Sequence, residues 1–196
     1  MTVIKDPLKS HHARVSSEGQ LWTEAEMRPT LQAAAERGEA YQFPTPVMTL
    51  PGTSEYAVMR FSISDIDQPG HLMRLLVGWN GGSTNHNRCL IVRLYIDMDA
   101  PTANAAAYSP GNMYLGSSTP AQGTFHQWNG VGNGMTVASN GTFASASLYA
   151  QGRTAVEYDG ALILPNGSTV GVTVQGEEVG LFTLNVIGFF DEVHIG

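Results

Sequence analysis

Histidine side chains are the first residues to consider, because they could bind a metal ion or transfer protons. A metal-binding jelly roll needs a His-X-His pair, a carboxylate and a later histidine. Four histidines instead stand singly in predicted loops and at one terminus: His71, His86, His126 and His194. The adjacent His11 and His12 would point in opposite directions on an extended segment. The histidine spacing therefore predicts no metal site.

Asp97 and Asp99 are the acidic pair that comes closest to a site, since they fall on the same side of a predicted strand end. Calcium takes roughly six to eight oxygen ligands, and the Ala-Pro-Thr that follows offers few, so a solvated strand end is the favoured interpretation. The glycines between 123 and 134 form no phosphate loop, because no helix follows them. No serine lies in a nucleophile elbow. We therefore predict no catalytic residue, no cofactor and no enzymatic activity.

Aromatic residues in the middle of the chain are open to two interpretations. Tyr114, Phe125 and Trp128 could form a platform on which sugar rings stack, as exposed aromatic side chains do in carbohydrate modules. The alternative is packing in a core or in a protein interface, where aromatic residues are enriched. We favour the second interpretation.

The last forty residues carry the clearest structural pattern. Residues 162–164 lead into a Pro-Asn-Gly turn, in which proline presets φ and Asn-Gly tolerates positive φ. Val170, Val172 and Val174 then alternate with small polar residues, and a Gly-Glu-Glu-Val-Gly turn leads into residues 181–190. Similar patterns recur from residue 41 onward, with no helix placed for parallel crossovers. The pattern predicts an all-β fold, an antiparallel β-sandwich or jelly roll of eight to ten strands.

The N-terminal forty residues differ from the rest. Residues 1–28 hold four of the ten Lys and Arg residues and show no sustained periodicity, apart from a plausible hairpin at residues 16–20. They are either a frayed terminus or an extended arm that docks on a neighbouring subunit, since Leu21 and Trp22 are costly to leave in water. Residues 29–38 predict a short helix that ends at Gly38. We therefore divide the chain into an arm and helix (1–40) and a sandwich domain (41–196).

Composition limits the classes of partner. Charged residues make up only 14% of the chain, and the net charge is −7. A low-charge surface is typical of protein interfaces, whereas wrapping nucleic acid requires many Lys and Arg residues. The single cysteine, Cys89, excludes an internal disulfide framework. No apolar run is long enough for a membrane span or a signal peptide, which predicts a soluble protein made in the cytoplasm.

The chain resembles the accessory structural proteins of tailed bacteriophages, specifically the decoration or cement proteins of the head. The residues that carry this resemblance cover about a third of the chain: 13–21, 34–41, 160–174 and 186–190. Residues 98–134 match nothing in that pattern. The resemblance implies a β-sandwich that oligomerises, often as a trimer, and clamps the subunits of the major capsid protein on the outside of the virion.

From the residues and this resemblance we predict a homotrimeric capsid-stabilising protein without catalytic, metal, nucleic-acid or membrane sites. The arm, the helix and exposed aromatic residues are expected to supply the contacts, and the candidates are Arg14, Leu21, Trp22, Leu31, Tyr114 and Trp128. The alternative is a carbohydrate- or receptor-binding module of a phage tail or neck that uses Trp79, Trp128 and Tyr114.

Overall fold

The protein is an antiparallel β-sandwich with one short helix. The computed structural model describes residues 3–5, 12–15, 21–22, 30–63, 69–81, 89–118, 120–121, 123–137, 142–143, 148–150, 152–165 and 167–190. The elements, in chain order, are β1 (Val3–Lys5), β2 (His12–Val15), β3 (Leu21–Trp22), α1 (Thr30–Glu36), β4 (Ala40–Pro44), β5 (Met48–Leu50), β6 (Glu55–Ser62), β7 (Gly70–Gly81), β8 (Leu90–Ile96), β9 (Pro101–Ala103), β10 (Ala105–Ala107), β11 (Gly111–Asn112), β12 (Thr124–Trp128), β13 (Thr136–Val137), β14 (Thr142–Phe143), β15 (Leu148–Ala150), β16 (Gly152–Leu164), β17 (Thr169–Gly176) and β18 (Gly180–Phe190).

Two large sheets form the sandwich. Sheet I has the strand order β10-β12-β6-β17-β8-β14, with β15 also paired to β8. Sheet II has the order β11-β4-β18-β7-β16, with β5 also paired to β18. A pair of short strands, β9 and β13, lies outside both sheets. The expectation of an all-β sandwich is confirmed.

The C-terminal strands lie in the middle of the two sheets. Strand β17 pairs with β6 and β8, and β18 pairs with β7 on one side and with β4 and β5 on the other. Val170, Val172 and Val174 of β17 are buried as predicted, but Gly171 and Thr173 between them are buried too, so the strand is covered on both faces rather than half-buried. The predicted turn forms as well, with Ser168 N donating to Pro165 O at 3.1 Å and Gly167 at a φ of 75°.

The core lies between the sheets and is closed by aromatic contacts. Phe43 of sheet II packs on Phe61 and Phe125 of sheet I, with ring centroids 4.9 and 5.2 Å apart. Such tilted ring pairs contribute beyond the area that they bury. Aliphatic side chains of β7, β8, β17 and β18 fill the rest of the same core.

The helix α1 packs on the outer face of sheet II. Its Ala34 is buried with Ala40 and Phe189, and Leu31 packs against that cluster. The helix ends in a Schellman motif: Glu39 N donates to Ala34 O, Gly38 N donates to Ala35 O, and Gly38 has a φ of 76°. The predicted glycine stop is confirmed. Within the described residues, no helix is long and apolar enough to cross a membrane.

The segment 98–134, which showed no strand pattern in the sequence, supplies strands to both sheets. Strands β10 and β12 extend sheet I, and β11 pairs with β4 at the edge of sheet II. Strands β10 and β11 are short and consist of Ala, Gly and Asn, and the two apolar residues of β12 are three positions apart, so none of them shows the apolar alternation that marks a strand in a sequence. Pairing with longer neighbours orders them instead.

The three N-terminal strands form a small sheet of their own, in the order β1-β2-β3. Strand β2 pairs with β3, with Arg14 opposite Trp22 and Val15 opposite Leu21. The residues of the expected hairpin, 16–20, lie outside the described part of the chain, between β2 and β3, which pair antiparallel. In the part of the chain that the structure describes, these strands pair with no strand of sheets I and II.

Candidate contact surface

The turn that follows β11 presents three consecutive apolar side chains to solvent. Leu115 is 94% exposed, Tyr114 is 52% exposed and Met113 is 36% exposed. Isolated exposed apolar residues are ordinary on protein surfaces, but a contiguous group is typical of an interaction site. We call Met113, Tyr114 and Leu115 the apolar turn. It contains Tyr114, one of the predicted contact residues.

The backbone of the apolar turn is held in place by Asn112. The Asn112 Oδ1 accepts a hydrogen bond from Tyr114 N at 2.8 Å, and its Nδ2 donates to Gly38 O at 2.7 Å. Ser117 N donates to Tyr114 O at 3.1 Å, with Gly116 at a φ of 100°. An Asx turn thus runs into a β-turn that requires glycine. The exposed side chains therefore stand on an ordered backbone that is tied to the end of α1.

Tyr41 also connects the end of α1 to the segment that follows the apolar turn. Its hydroxyl lies 3.1 Å from both Gly38 O and Pro120 O, so it bridges the end of α1 and the segment after the apolar turn. Burial raises the pKa of Tyr41, and the nearby Glu39 carboxylate raises it further. The hydroxyl therefore stays protonated at neutral pH and acts as a donor.

Trp128 is placed differently from the sequence expectation. Its side chain is 1% exposed, stacks on Tyr56 with ring centroids 6.1 Å apart, and donates from Nε1 to Val131 O at 2.7 Å. A side chain with this burial and a satisfied N–H belongs to the core. Trp128 is therefore removed from the contact candidates. Phe125, which was considered with it, is buried as well.

Leu31 is also engaged inside the chain, because it packs against the cluster of Ala34, Ala40 and Phe189. It is partly exposed, so its contribution to a partner contact is limited to the uncovered part of its side chain. For Arg14, Leu21 and Trp22 the structure gives strand pairing alone, and their side chains lie outside the described part. The apolar turn is the contact candidate with described side-chain geometry.

Asp97 and Asp99 lie in the loop after β8, and both are exposed. Asp97 has a φ of 57°, which ends the extended backbone, and Met98 between the two acids is fully buried. Met98 covers Gly171, where a Cβ would overlap its thioether. Its carbonyl accepts hydrogen bonds from Arg60 Nε at 2.9 Å and from Thr169 Oγ1 at 3.0 Å. The segment therefore covers part of the outer face of sheet I, and both acids are exposed after the end of β8, as expected for a solvated strand end.

On the outer face of sheet I, at the end away from Met98, polar side chains form hydrogen bonds with one another. Arg93 Nη1 donates to Glu55 Oε2 at 2.9 Å and to Gln175 Oε1 at 3.0 Å, and Thr173 Oγ1 donates to Glu55 Oε1. A network with its partners satisfied fixes the surface of a sheet. Among the described residues, no three His, Cys, Asp or Glu side chains are grouped closely enough to hold a metal ion.

His126 gives the fold a dependence on pH. It lies opposite Arg60 in the pairing of β12 with β6, and Arg60 is itself buried and receives the field of Asp99. Burial lowers the pKa of His126, and the Arg60 cation lowers it further. The folded state thus favours the neutral imidazole, whereas the unfolded chain takes up a proton near the ordinary pKa of about 6.5.

We expect this contribution to stability to be complete above about pH 6.5 and to be lost as the pH falls toward the lowered pKa of the folded state. The free energy of unfolding in urea, measured at several values between pH 7.5 and 5, should decrease less steeply in His126→Gln than in the wild type. Equal pH slopes in the two proteins would contradict this role of His126.

Comparison of the chain with protein-family models, with curated proteins and with solved structures finds no match.

Proposed function

We propose that the protein is a virion structural protein that decorates and stabilises a phage capsid, and that the apolar turn contacts the shell. The observation that carries this proposal is the ordered, exposed group Met113, Tyr114 and Leu115. A preordered contact loses little conformational entropy on binding, which favours affinity. The sequence resemblance to decoration proteins and the low content of charged residues support the same role.

The protein acts as a homotrimer in this proposal, and the arm joins the subunits. An arm gives reach, and several weak contacts on a repeating lattice gain affinity through multivalency. A rotational trimer closes into a ring, which presents one copy of the apolar turn per subunit to the shell. Light scattering at micromolar concentration tests the oligomeric state, and a monomeric mass would contradict it.

Deletion of residues 1–28 is expected to dissociate the trimer and leave the sandwich folded. The small sheet β1-β2-β3 shares no strand pairing with the two large sheets in the described residues, so its removal leaves their hydrogen bonds intact. The measurements are molar mass by light scattering and β content by circular dichroism. A truncated protein that keeps both the trimeric mass and capsid binding would rule out the role of the arm.

The second candidate, a carbohydrate- or receptor-binding module, loses the aromatic platform on which it rested. Trp79 and Trp128 are 6% and 1% exposed, so Tyr114 alone of the three aromatic residues is available to stack on a sugar ring. A carbohydrate site in this protein requires different residues.

A further inference from the structure

A groove runs along the outer face of sheet II, beside the part that α1 covers. Its main section has a volume of about 480 Å³ and lies over the central strands β18 and β7. A second section of about 310 Å³ continues it toward Val47 and Leu181. The two sections share Gly78, Arg153 and Thr183. Both volumes fall in the range of small-molecule sites.

Gly78 lies in the lining that the two sections of the groove share. Gly78 pairs with Thr183 on one side and with Arg153 on the other, so these three residues form a row across the face. A Cβ on Gly78 would lie 2.5 Å from Thr183 Oγ1. The Thr183 side chain therefore occupies the space beside Gly78, and its hydroxyl lies in the lining of the groove between Pro44 and Arg153.

The charge of the groove differs from that of the protein. Among the described residues that line it, Arg153 is the one ionisable residue and none is a carboxylate, although the chain has a net charge of −7. The ion pairs between described residues join Arg37 to Glu39, Arg74 to Glu157 and Arg93 to Glu55, and none involves Arg153. An exposed guanidinium beside an uncharged groove complements a ligand that carries a carboxylate.

The groove also contains a hydrogen-bond acceptor that has no partner. Asn185 Oδ1 is buried without a hydrogen bond, while its Nδ2 makes only a long contact of 3.5 Å to Gln42 Oε1. Thr183 presents an exposed hydroxyl beside it. A buried acceptor without a partner is costly, and the long contact of Nδ2 lets the amide turn so that a ligand hydroxyl can donate to it.

The floor of the groove favours a saccharide over a peptide. Strands β18 and β7 are paired with other strands on both sides, so their backbone N–H and C=O groups are already used and cannot pair with an added peptide strand. A peptide would leave its own N–H and C=O groups without main-chain partners there, because strand addition needs a sheet edge. Sugar hydroxyls can bond to the Thr183 and Asn185 side chains instead.

We propose that this groove binds an acidic saccharide. Arg153 forms an ion pair with the sugar carboxylate, and the side chains of Thr183 and Asn185 form hydrogen bonds with the ring hydroxyls. The site is separate from the apolar turn, and the proposal does not depend on capsid binding.

A glycan array tests the proposal with the full-length protein. The array presents glycans with uronic or sialic acid residues beside counterparts whose carboxylates are methyl-esterified. We expect the wild type to bind the acidic forms at least tenfold better than their esters. Arg153→Gln should weaken binding of the acidic forms about tenfold, which corresponds to the loss of one charge-assisted hydrogen bond. Thr183→Val keeps the side-chain shape and should weaken both forms.

Arg37→Gln is the matched control, because it removes another exposed arginine that lies away from the groove. It should bind as the wild type does. Wild-type protein that binds no acidic glycan on the array, equal binding of acids and esters, or unchanged binding in Arg153→Gln would each overturn the proposal. Capsid binding should be the same in Arg153→Gln and the wild type, so that failure of one proposal leaves the other standing.

Discussion

Trp128→Ala is expected to destabilise the fold by about 3–5 kcal/mol, the cost of replacing a buried tryptophan. The substitution removes the stacking on Tyr56 and leaves Val131 O without the indole donor. For a chain of this size the loss corresponds to a decrease in Tm of roughly 6–20 °C. Thermal and urea unfolding measure the effect.

Trp128→Phe is the control for that experiment, since it keeps an aromatic ring in the cavity and loses only the indole N–H and part of the volume. Its Tm should lie between those of the wild type and Trp128→Ala. The folded fraction of Trp128→Ala should keep the oligomeric state of the wild type, because the side chain is 1% exposed. A stable Trp128→Ala protein that dissociates would restore Trp128 as a contact residue.

Replacing Tyr114 and Leu115 together by serine is expected to weaken capsid binding by at least about 30-fold, the effect of losing roughly 2 kcal/mol at an interface centre. Stability should change by less than about 0.5 kcal/mol, because both side chains are exposed and the Asn112 hydrogen bonds involve the backbone. Quantitative cosedimentation with capsid shells and urea unfolding give the two values.

Ile163→Ser is the matched control for the apolar turn. Ile163 is 54% exposed on β16 and is as apolar as the residues replaced in the turn. Its substitution should leave capsid binding unchanged. If Ile163→Ser and the double serine variant weaken binding equally, general surface hydrophobicity rather than the apolar turn holds the protein to the shell.

Sequence patterns predicted those parts of the fold that depend on residues close together in the chain. The buried valines of β17, the turn after Pro165 and the Gly38 stop of α1 all depend on residues close in the chain, and each forms as expected. Gly171 could not be interpreted in the same way. It is required because Met98, which is distant in sequence, packs over it.

The contact residues were predicted less well for a related reason. Trp128 and Tyr114 lie in the same segment of weak pattern, and amino-acid type does not distinguish a buried aromatic residue from an exposed one. The difference follows from pairing: β12 joins sheet I beside β6, whereas the residues after β11 leave the edge of sheet II. Asn112 and Gly116 are the local signal for an ordered turn, but the hydrogen bond from Asn112 Nδ2 to Gly38 O becomes evident only in the fold.

The groove on sheet II had no signal in the sequence. Its residues come from β7, β16, β18 and the segment between β4 and β5, and they meet only because the strands pair in this register. Gly78 and Arg153 are separated by more than seventy residues in the chain.

Binding of the wild-type protein to shells of the capsid from the same phage, prepared without the protein, tests the proposed function most directly. We expect saturable cosedimentation with a fixed number of copies per shell, together with a free protein three times the mass of the 196-residue chain. A protein that stays in the supernatant at every concentration would contradict it.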